Sequence, residues 1–280
     1  MINRIKKENK PETKITKNIK NLSAYTERNT IVYYSNLNNE NNALNTNDIN
    51  HIMKVIENLD VTKGVDLVLN TPGGEFDATE SIINFIHGVF GEDIRAIIPQ
   101  SAMSAGTLIA CSCKEIYMGF PSSLGPTDPQ IDNISAKNIL KEFKLAKKEM
   151  AECPEHIPFW TTLLDKYSET MLIECKKALE WSEEILEKSL KYSMFKDDDD
   201  QKQIAKIKDA LITSENIKNH CQTLSAKKCK EIGLKIKQLE NDKKMYDLTY
   251  KLHQSVINYF IHTKKSKIIA NQNGTYSIVD

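Results

Sequence analysis

The feature that most limits the fold of this 280-residue chain is the regular alternation of short apolar strands and helical segments in its first half. Four segments are rich in β-branched and apolar side chains, as strands are: Thr30–Ser35, Val65–Asn70, Ile94–Pro99 and Glu115–Met118. Three intervening segments are predicted to be helices: Thr46–Asn58, Asp77–Phe90 and the small-residue segment Ser101–Cys113. This alternation predicts parallel βαβ units with right-handed crossovers, and therefore an α/β fold.

The second half of the chain has a different character. Residues 133–218 contain almost no glycine and few strand signals, while lysine, glutamate and leucine recur at helical spacing. We expect a helical insertion or oligomerisation subdomain here, between a core at residues 29–132 and a closing motif with a C-terminal helix at 219–263. Residues 1–28 are almost entirely polar and are expected to be flexible, and residues 264–280 are expected to form a ragged basic tail.

Composition excludes several classes of function. Lys+Arg and Asp+Glu both number 38, and a balanced charge argues against a general nucleic-acid or anionic-membrane binder. The apolar stretch Ile94–Cys113 is interrupted by Arg95, Pro99 and Gln100, so we expect no membrane span. The cysteines lack C-x-x-C spacing, and the acidic run Asp197–Asp200 is typical of a solvated loop. We therefore expect a cytoplasmic protein without metal or other cofactor.

Two turns that follow apolar strands carry the residues suited to chemistry. Asn70–Gly74 ends in tandem glycines, and Ser101–Thr107 places serines at the start of a helix. In an open α/β sheet, ligands bind outside the carboxyl ends of the strands, where both turns are predicted to lie. Acyl transfer needs a hydroxyl nucleophile together with N–H groups directed at the developing oxyanion. Each turn alone is common in structural settings, but their joint occurrence is more specific.

The motifs around these turns resemble those of Clp-fold serine peptidases. The resemblance is carried by NTPGG, by AIIPQSAMSAGTLIACSCKEIYMG and by SSLGPTDPQI, and it returns in HCQTLSAKKCKEIGL at His220–Leu234. The chain is most similar to the serine dehydrogenase proteinases, which are related to signal peptide peptidase A and to the Clp protease proteolytic subunit. This resemblance implies a Clp/crotonase-type ββα spiral, here with a largely helical insertion and a helical C-terminus. It also implies a serine endopeptidase that forms homo-oligomers.

The resemblance identifies Ser104 as the nucleophile, in a motif whose first glycine is replaced by Ala105. That replacement is mild because the oxyanion hole would use the backbone N–H of Ala105. The second N–H would come from the pair Gly73 and Gly74, with Gly74 as the first choice. Ser101 is the alternative nucleophile.

The sequence alone leaves three interpretations of the general base. Asp128 occupies the place of the histidine in the Clp peptidase, and His220 occupies the place of its aspartate. One interpretation is therefore a rearranged triad, with His220 as the base and Asp128 as its orienting group. A second interpretation is a Ser–Lys dyad, as in signal peptide peptidase A, with one of three lysines on the following helix as base: Lys137, Lys141 or Lys144. In a third interpretation His220 only caps the closing loop.

Three functions remain in competition. The first is a peptidase that binds a protein or peptide substrate as an added strand beside the tandem glycines. This hypothesis also allows a separate activator or partner protein. Any unfolding motor would be a separate protein, because the chain has no G-x-x-x-x-G-K-[ST] motif. The second is a crotonase-like acyl-CoA enzyme, and the third is a catalytically inactive pseudo-peptidase that serves as a scaffold.

Overall fold

The computed structural model describes residues 11–195, 200–213 and 220–280. The strands in these ranges are β1 (Asn29–Ser35), β2 (Val65–Asn70), β3 (Ile94–Ile98), β4 (Ser101–Ala102), β5 (Glu115–Met118), β6 (Ser123–Leu124), β7 (Gln130–Ile131), β8 (Ile134–Ser135), β9 (Leu224–Ser225), β10 (Ile236–Gln238), β11 (Lys267–Asn271) and β12 (Tyr276–Val279). Seven of them form a central sheet in the order β10-β5-β3-β2-β1-β11-β12. The first five are parallel, whereas β11 and β12 are added antiparallel.

The helices in the described ranges are α1 (Pro11–Thr26), α2 (Asp48–Ile56), α3 (Phe76–Phe90), α4 (Ala105–Cys111), α5 (Ala136–Glu152), α6 (Ile157–Leu164), α7 (Met171–Ser189), α8 (Gln201–Lys208), α9 (Ala226–Ile232) and α10 (Lys243–Thr263). Helices α7 and α8 each continue into a wider π-helical turn, at Leu190–Met194 and Asp209–Thr213. Within the described part of the chain, no helix combines the length and the apolar content needed to cross a membrane.

The central sheet has an apolar core on each face because successive side chains of a strand point to opposite sides. In β2, Leu67 and Leu69 pack into the core that contains α2, α3 and α4. Val68, between them, packs into the core formed with α1 and α10. Both cores are built from side chains that are almost fully buried. The predicted α/β class, with a central and mostly parallel sheet, is confirmed, while the ββα spiral remains a prediction.

The amino-terminal segment differs from the flexible segment that we expected for residues 1–28. Residues 11–26 form α1, and its side chains Ile15, Ile19 and Leu22 are fully buried in the core with α10. These three residues form a narrow apolar stripe at helical spacing, which the polar average composition of the segment conceals. Residues 1–10 lie outside the described ranges.

The carboxyl-terminal segment also differs from the ragged tail expected for residues 264–280. It forms β11, which pairs with β1 inside the sheet, and β12, which pairs with β11. The expected helix at the end of residues 219–263 is α10, and two strands follow it in place of a tail. Lys267, a basic residue of this segment, is fully buried, and its amine lies 2.8 Å from the carboxylate of Asp48. The positive charge is thus neutralised inside the protein, and the apolar residues beside it can join the core.

Candidate active site

A small three-stranded sheet aligns the three segments that carry the predicted triad. Ala102 in β4 lies opposite Leu124 in β6, and Leu124 lies opposite Leu224 in β9. β4 and β6 run parallel, whereas β9 runs antiparallel to them. The chain that follows β4, the chain that follows β6 and the chain that precedes β9 therefore lie at the same end of this small sheet.

Ser104, Asp128 and His220 belong to these three chain segments. Ser104 comes two residues after Ala102, Asp128 four residues after Leu124, and His220 four residues before Leu224. The topology thus brings the three chain segments to one end of the small sheet, although they are far apart in sequence.

The backbone around Ser104 forms a tight turn between β4 and α4. The N–H of Gly106 donates to the carbonyl of Met103 over 2.8 Å, and Ser104 has φ 50° and ψ −115°. These angles are those of the first central residue of a type II′ turn, a position that glycine normally occupies. Ser104 therefore stands in a strained strand–turn–helix connection, as the nucleophile of a nucleophile elbow does. Its side chain is largely buried, with 8% of the residue exposed.

Thr107 holds this turn against the chain that leads to Asp128. Its hydroxyl oxygen lies 2.8 Å from the carbonyl of Ala102 and accepts the N–H of Gly125 over 3.0 Å. Thr107 was not singled out from the sequence. Its only signal was a hydroxyl residue in the first turn of a helix next to the serine motif, and such residues are common there.

Gly73 packs directly against Ser104. A Cβ atom on Gly73 would lie 2.8 Å from the Cβ of Ser104 and 3.0 Å from the amide nitrogen of Ala105, and Gly73 has a φ of +100°. Both observations require glycine at this position. The N–H of Gly73 donates to the hydroxyl of Thr71 over 3.2 Å, so it is already engaged within the turn.

Gly74 differs from Gly73 in the direction of its N–H group. On one edge of this segment, Leu44 donates to the carbonyl of Gly73 over 2.8 Å and accepts the N–H of Glu75 over 2.9 Å. Because N–H and C=O groups alternate between the edges of an extended segment, the N–H of Gly74 points to the opposite edge. The N–H of Ala105 is the first of helix α4 and has no acceptor within that helix.

A buried ion pair supports the segment that contains Leu44. The amine of Lys267 lies 3.0 and 2.8 Å from the two carboxylate oxygens of Asp48. One of these oxygens also accepts the N–H of Asn45 and the hydroxyl of Tyr33, and burial beside Asp48 raises the pKa of Tyr33 well above its usual value. The pair thus fixes the residue that follows Leu44, and through it the edge beside Gly74.

Asp128 and His220 are in direct contact. The Nδ1 atom of His220 lies 2.9 Å from Oδ1 of Asp128, and the second carboxylate oxygen accepts the side-chain amide of Gln130 over 3.0 Å. Asp128 is buried, whereas about a quarter of the His220 side chain is exposed. With a proton on Nδ1 donated to Asp128, Nε2 of the neutral ring keeps its lone pair, which is the tautomer that a general base requires. Gln130 was not singled out from the sequence, because a lone glutamine carries no motif.

Helices α5 to α8 and the turn after α8, together called the helical region, hold the loop that carries Asp128. The N–H of Thr127 donates to the carbonyl of Leu211 over 2.8 Å, and the hydroxyl of the fully buried Ser182 donates to the carbonyl of Thr127 over 2.8 Å. Lys137 donates to the carbonyl of Thr213. Residues from α5, α7 and the turn after α8 therefore surround the position of the candidate orienting carboxylate.

The alternatives considered for the nucleophile and the base have other surroundings. Ser101 lies in β4, outside the strained turn, and its N–H donates to the side chain of Asn70 over 3.2 Å. A lysine acts as a general base only when burial lowers its pKa. Lys137 donates to a backbone carbonyl, and Lys141 and Lys144 are exposed on α5.

The described ranges contain no group of three His, Cys, Asp or Glu side chains placed as metal ligands are. Of the acidic run Asp197–Asp200, only Asp200 lies inside those ranges.

The sheet, the strained serine turn and the Asp–His pair define an α/β protein with a candidate serine acyl-transfer site. A family model described as ClpP-like SDH-type serine proteinase matches residues 41–269, and the chain belongs to that family. The family resemblance that the sequence motifs indicated is thereby confirmed.

The chain is also similar to two proteins of Methanocaldococcus jannaschii, both named as uncharacterized. It is 31% identical to MJ0137 over an alignment of 148 residues that covers 47% of this chain and 51% of that protein. It is 29% identical to MJ1495 over an alignment of 206 residues that covers 72% of this chain and 61% of that protein. The matches thus span between half and two thirds of the length of these relatives.

Proposed function

We propose that this chain is a serine peptidase that cleaves peptide bonds through an acyl-Ser104 intermediate. The observation that carries the proposal is the 2.9 Å contact between His220 and Asp128 at the end of the small sheet from which the Ser104 turn also emerges. Membership of the ClpP-like SDH-type proteinase family supports the same chemistry. The strained backbone of Ser104 adds support, because such conformations cluster at functional sites.

In the proposed reaction, Nε2 of His220 accepts the proton of the Ser104 hydroxyl while the oxygen attacks the carbonyl carbon of the scissile peptide bond. The resulting oxyanion is stabilised by the N–H groups of Gly74 and Ala105. The C–N bond then breaks, and His220 gives its proton to the leaving amine, which leaves an ester on Ser104. A water molecule, deprotonated by His220, hydrolyses that ester and restores the hydroxyl. Asp128 stays ionised throughout and orients the imidazole.

The substrate would bind in an extended conformation beside Gly74. Leu44 occupies one edge of the Gly73–Glu75 segment through two main-chain hydrogen bonds. The opposite edge offers the N–H and the carbonyl of Gly74, and a peptide can add there as a strand. We also propose that the chain forms homo-oligomers through its helical region.

Labelling with a fluorophosphonate probe, followed by mass spectrometry, tests the nucleophile. We expect an adduct on Ser104 in the wild type and none in Ser104→Ala. The matched control is Ser101→Ala, which removes the neighbouring serine hydroxyl and should leave labelling unchanged. His220→Ala should slow labelling by about 10²–10⁴-fold, because the serine then lacks its base.

Two results would contradict the proposal. The first is a folded wild-type protein without an adduct, which is the behaviour expected of a pseudo-peptidase or of an acyl-CoA enzyme that does not use Ser104. The second is labelling that survives in Ser104→Ala. Circular dichroism of each variant separates loss of chemistry from loss of fold.

A further inference from the structure

A groove of about 670 Å³ lies along the second half of helix α10, outside the carboxyl ends of β1 and β3. One wall is a stripe of α10 at helical spacing that runs from His253 to Lys264, and the other is the chain at 36–39, directly after β1. Gln100, which follows β3, also lines it. Ligands of open α/β proteins bind at this end of the sheet.

The groove has the length of a short extended peptide. From His253 to Ile261 the helix rises by about 12 Å, at roughly 1.5 Å per residue. An extended chain covers about 3.3 Å per residue, so roughly four residues fit along this wall.

The walls combine apolar surface with amide groups. Ile261 and Leu37 line the groove and are 66% and 41% exposed, respectively. Asn38 and Gln254 supply groups that both donate and accept hydrogen bonds. Among the described residues that line it there is no carboxylate, and Lys264 supplies a positive charge. This lining suits the carbonyl groups and apolar side chains of a polypeptide.

His253 lines the groove and contacts a buried tyrosine. Its Nδ1 atom lies 3.2 Å from the hydroxyl of Tyr34, which is fully buried and whose pKa is raised well above its usual value by burial. Burial also lowers the pKa of His253, so the ring is neutral near pH 7. When the Tyr34 hydroxyl donates to Nδ1, the neutral ring carries its proton on Nε2 and can donate to a peptide carbonyl.

The groove is joined to the candidate active site by short connections. Gln100 is followed directly by Ser101 of β4, the strand that leads into the Ser104 turn. On the other side, Ser35 lies next to the groove residue Asn36, and its hydroxyl donates to the hydroxyl of Thr71 over 3.3 Å. Thr71 in turn accepts the N–H of Gly73.

We infer that this groove is a second binding site for the substrate polypeptide, where an extended stretch of about four residues with apolar side chains binds next to the site of cleavage. The inference rests on the proposed peptidase function for the identity of the ligand. The residues that line the groove are different from those assigned to the reaction.

Binding of fluorescein-labelled β-casein, an extended polypeptide rich in apolar residues, tests the inference. Fluorescence anisotropy is measured on the full chain with Ser104→Ala, so that no cleavage occurs. Ile261→Glu and Leu37→Glu should each raise the Kd at least tenfold, because they place a carboxylate in the apolar part of the groove. The matched control is Val61→Glu, since Val61 is 49% exposed, lies outside the groove and does not belong to the helical region proposed to form the oligomer contact.

Kinetics with Ser104 intact give a second measurement. Ile261→Glu should raise the KM for β-casein at least tenfold and change kcat less than twofold, while fluorophosphonate labelling of Ser104 keeps its wild-type rate. Equal weakening by Val61→Glu would overturn the inference. So would unchanged binding in both groove variants, or no casein binding by a chain whose wild type is labelled. Groove-dependent binding by a chain that is never labelled would instead contradict the peptidase reaction and leave the binding site standing.

Discussion

The two halves of the candidate active site are held by different parts of the molecule. The half with the nucleophile and the N–H groups lies within Thr71–Thr107, and the central sheet and the neighbouring segment at Leu44 fix it. The half with Asp128 and His220 depends on contacts from the helical region, through Thr127. The contacts that hold the first half therefore lie within the core, whereas those that hold Asp128 come also from the helical region.

The largest expected effect concerns the support of the first half. Lys267→Met leaves the carboxylate of Asp48 buried without its partner, which should lower the free energy of unfolding by about 3–5 kcal/mol. Urea denaturation measures this loss. Because Asp48 also fixes Asn45, next to Leu44, labelling of Ser104 should weaken as well. A loss of stability below about 1 kcal/mol would mean that the ion pair does not support this half.

The double variant Asp48→Asn with Lys267→Met is the control for charge burial. It removes both charges, so it should recover part of the stability that Lys267→Met loses. If it is less stable than the single variant, the effect arises from packing and not from an unpaired charge.

The next effect separates the two halves. Ser182→Ala leaves the buried carbonyl of Thr127 without its donor, which should cost about 1–3 kcal/mol of stability. Displacement of the neighbouring Asp128 should also slow labelling of Ser104 about tenfold, because small errors in position are costly in catalysis. Labelling rate and urea midpoint are measured on the same samples.

Ser193→Ala is the matched control. Its hydroxyl is also buried and donates to a backbone carbonyl, that of Ser112, over 2.6 Å. The loss of stability should be smaller, because the Ser112 carbonyl keeps the Nε2–H group of His87 as a donor, and labelling should keep its wild-type rate because this bond lies away from the Asp128 loop. Equal slowing in both variants would show that the base responds to general stability alone.

The smallest expected effect concerns a contact between helix α3 and the helical region. His87 on α3 donates to the carbonyl of Ser112 over 2.8 Å and stacks on Tyr192 of the helical region at 4.1 Å. Burial lowers the pKa of His87 below its ordinary value of 6.5. The unfolded chain then binds more protons, so the stability contributed by this group is present above about pH 6.5 and is lost as the pH falls below it.

Urea midpoints at pH 7.5 and 5.5 measure this dependence. His87→Phe keeps a ring that can stack on Tyr192 but cannot titrate, so its midpoint should fall less on acidification than that of the wild type. The remaining dependence would include His253, whose pKa burial also lowers. Identical pH dependence in the wild type and the variant would contradict the role given to His87.

Much of the first half could be predicted from the sequence because its determinants are local. The strand Val65–Asn70, the tandem glycines and the serine turn stand in consecutive motifs, and the structure has Gly73 packed against Ser104. Leu44 was not predicted, because a single apolar residue in an asparagine-rich loop has no periodicity. Its role depends on a main-chain pairing with Gly73 and Glu75, which any residue type can make.

The second half was much less accessible from the sequence. Family position indicated Asp128 and His220 as a pair, and the structure has them 2.9 Å apart. Their supports, Ser182 and Leu211, could not be predicted, because each acts through a backbone atom of Thr127 across a long separation in sequence. The same limit explains the error at residues 264–280, where the partner of the buried Lys267 lies in α2.

The positive φ of Ser104 has a consequence for comparing this chain with its relatives. Holding a residue with a Cβ atom in this conformation costs on the order of 1–3 kcal/mol. Glycine would adopt the same angles without that cost. Ser104→Gly would relieve that cost, so stability alone would favour glycine at this turn. A serine here therefore answers to a need other than stability, and a relative with glycine at this turn would lack the proposed nucleophile.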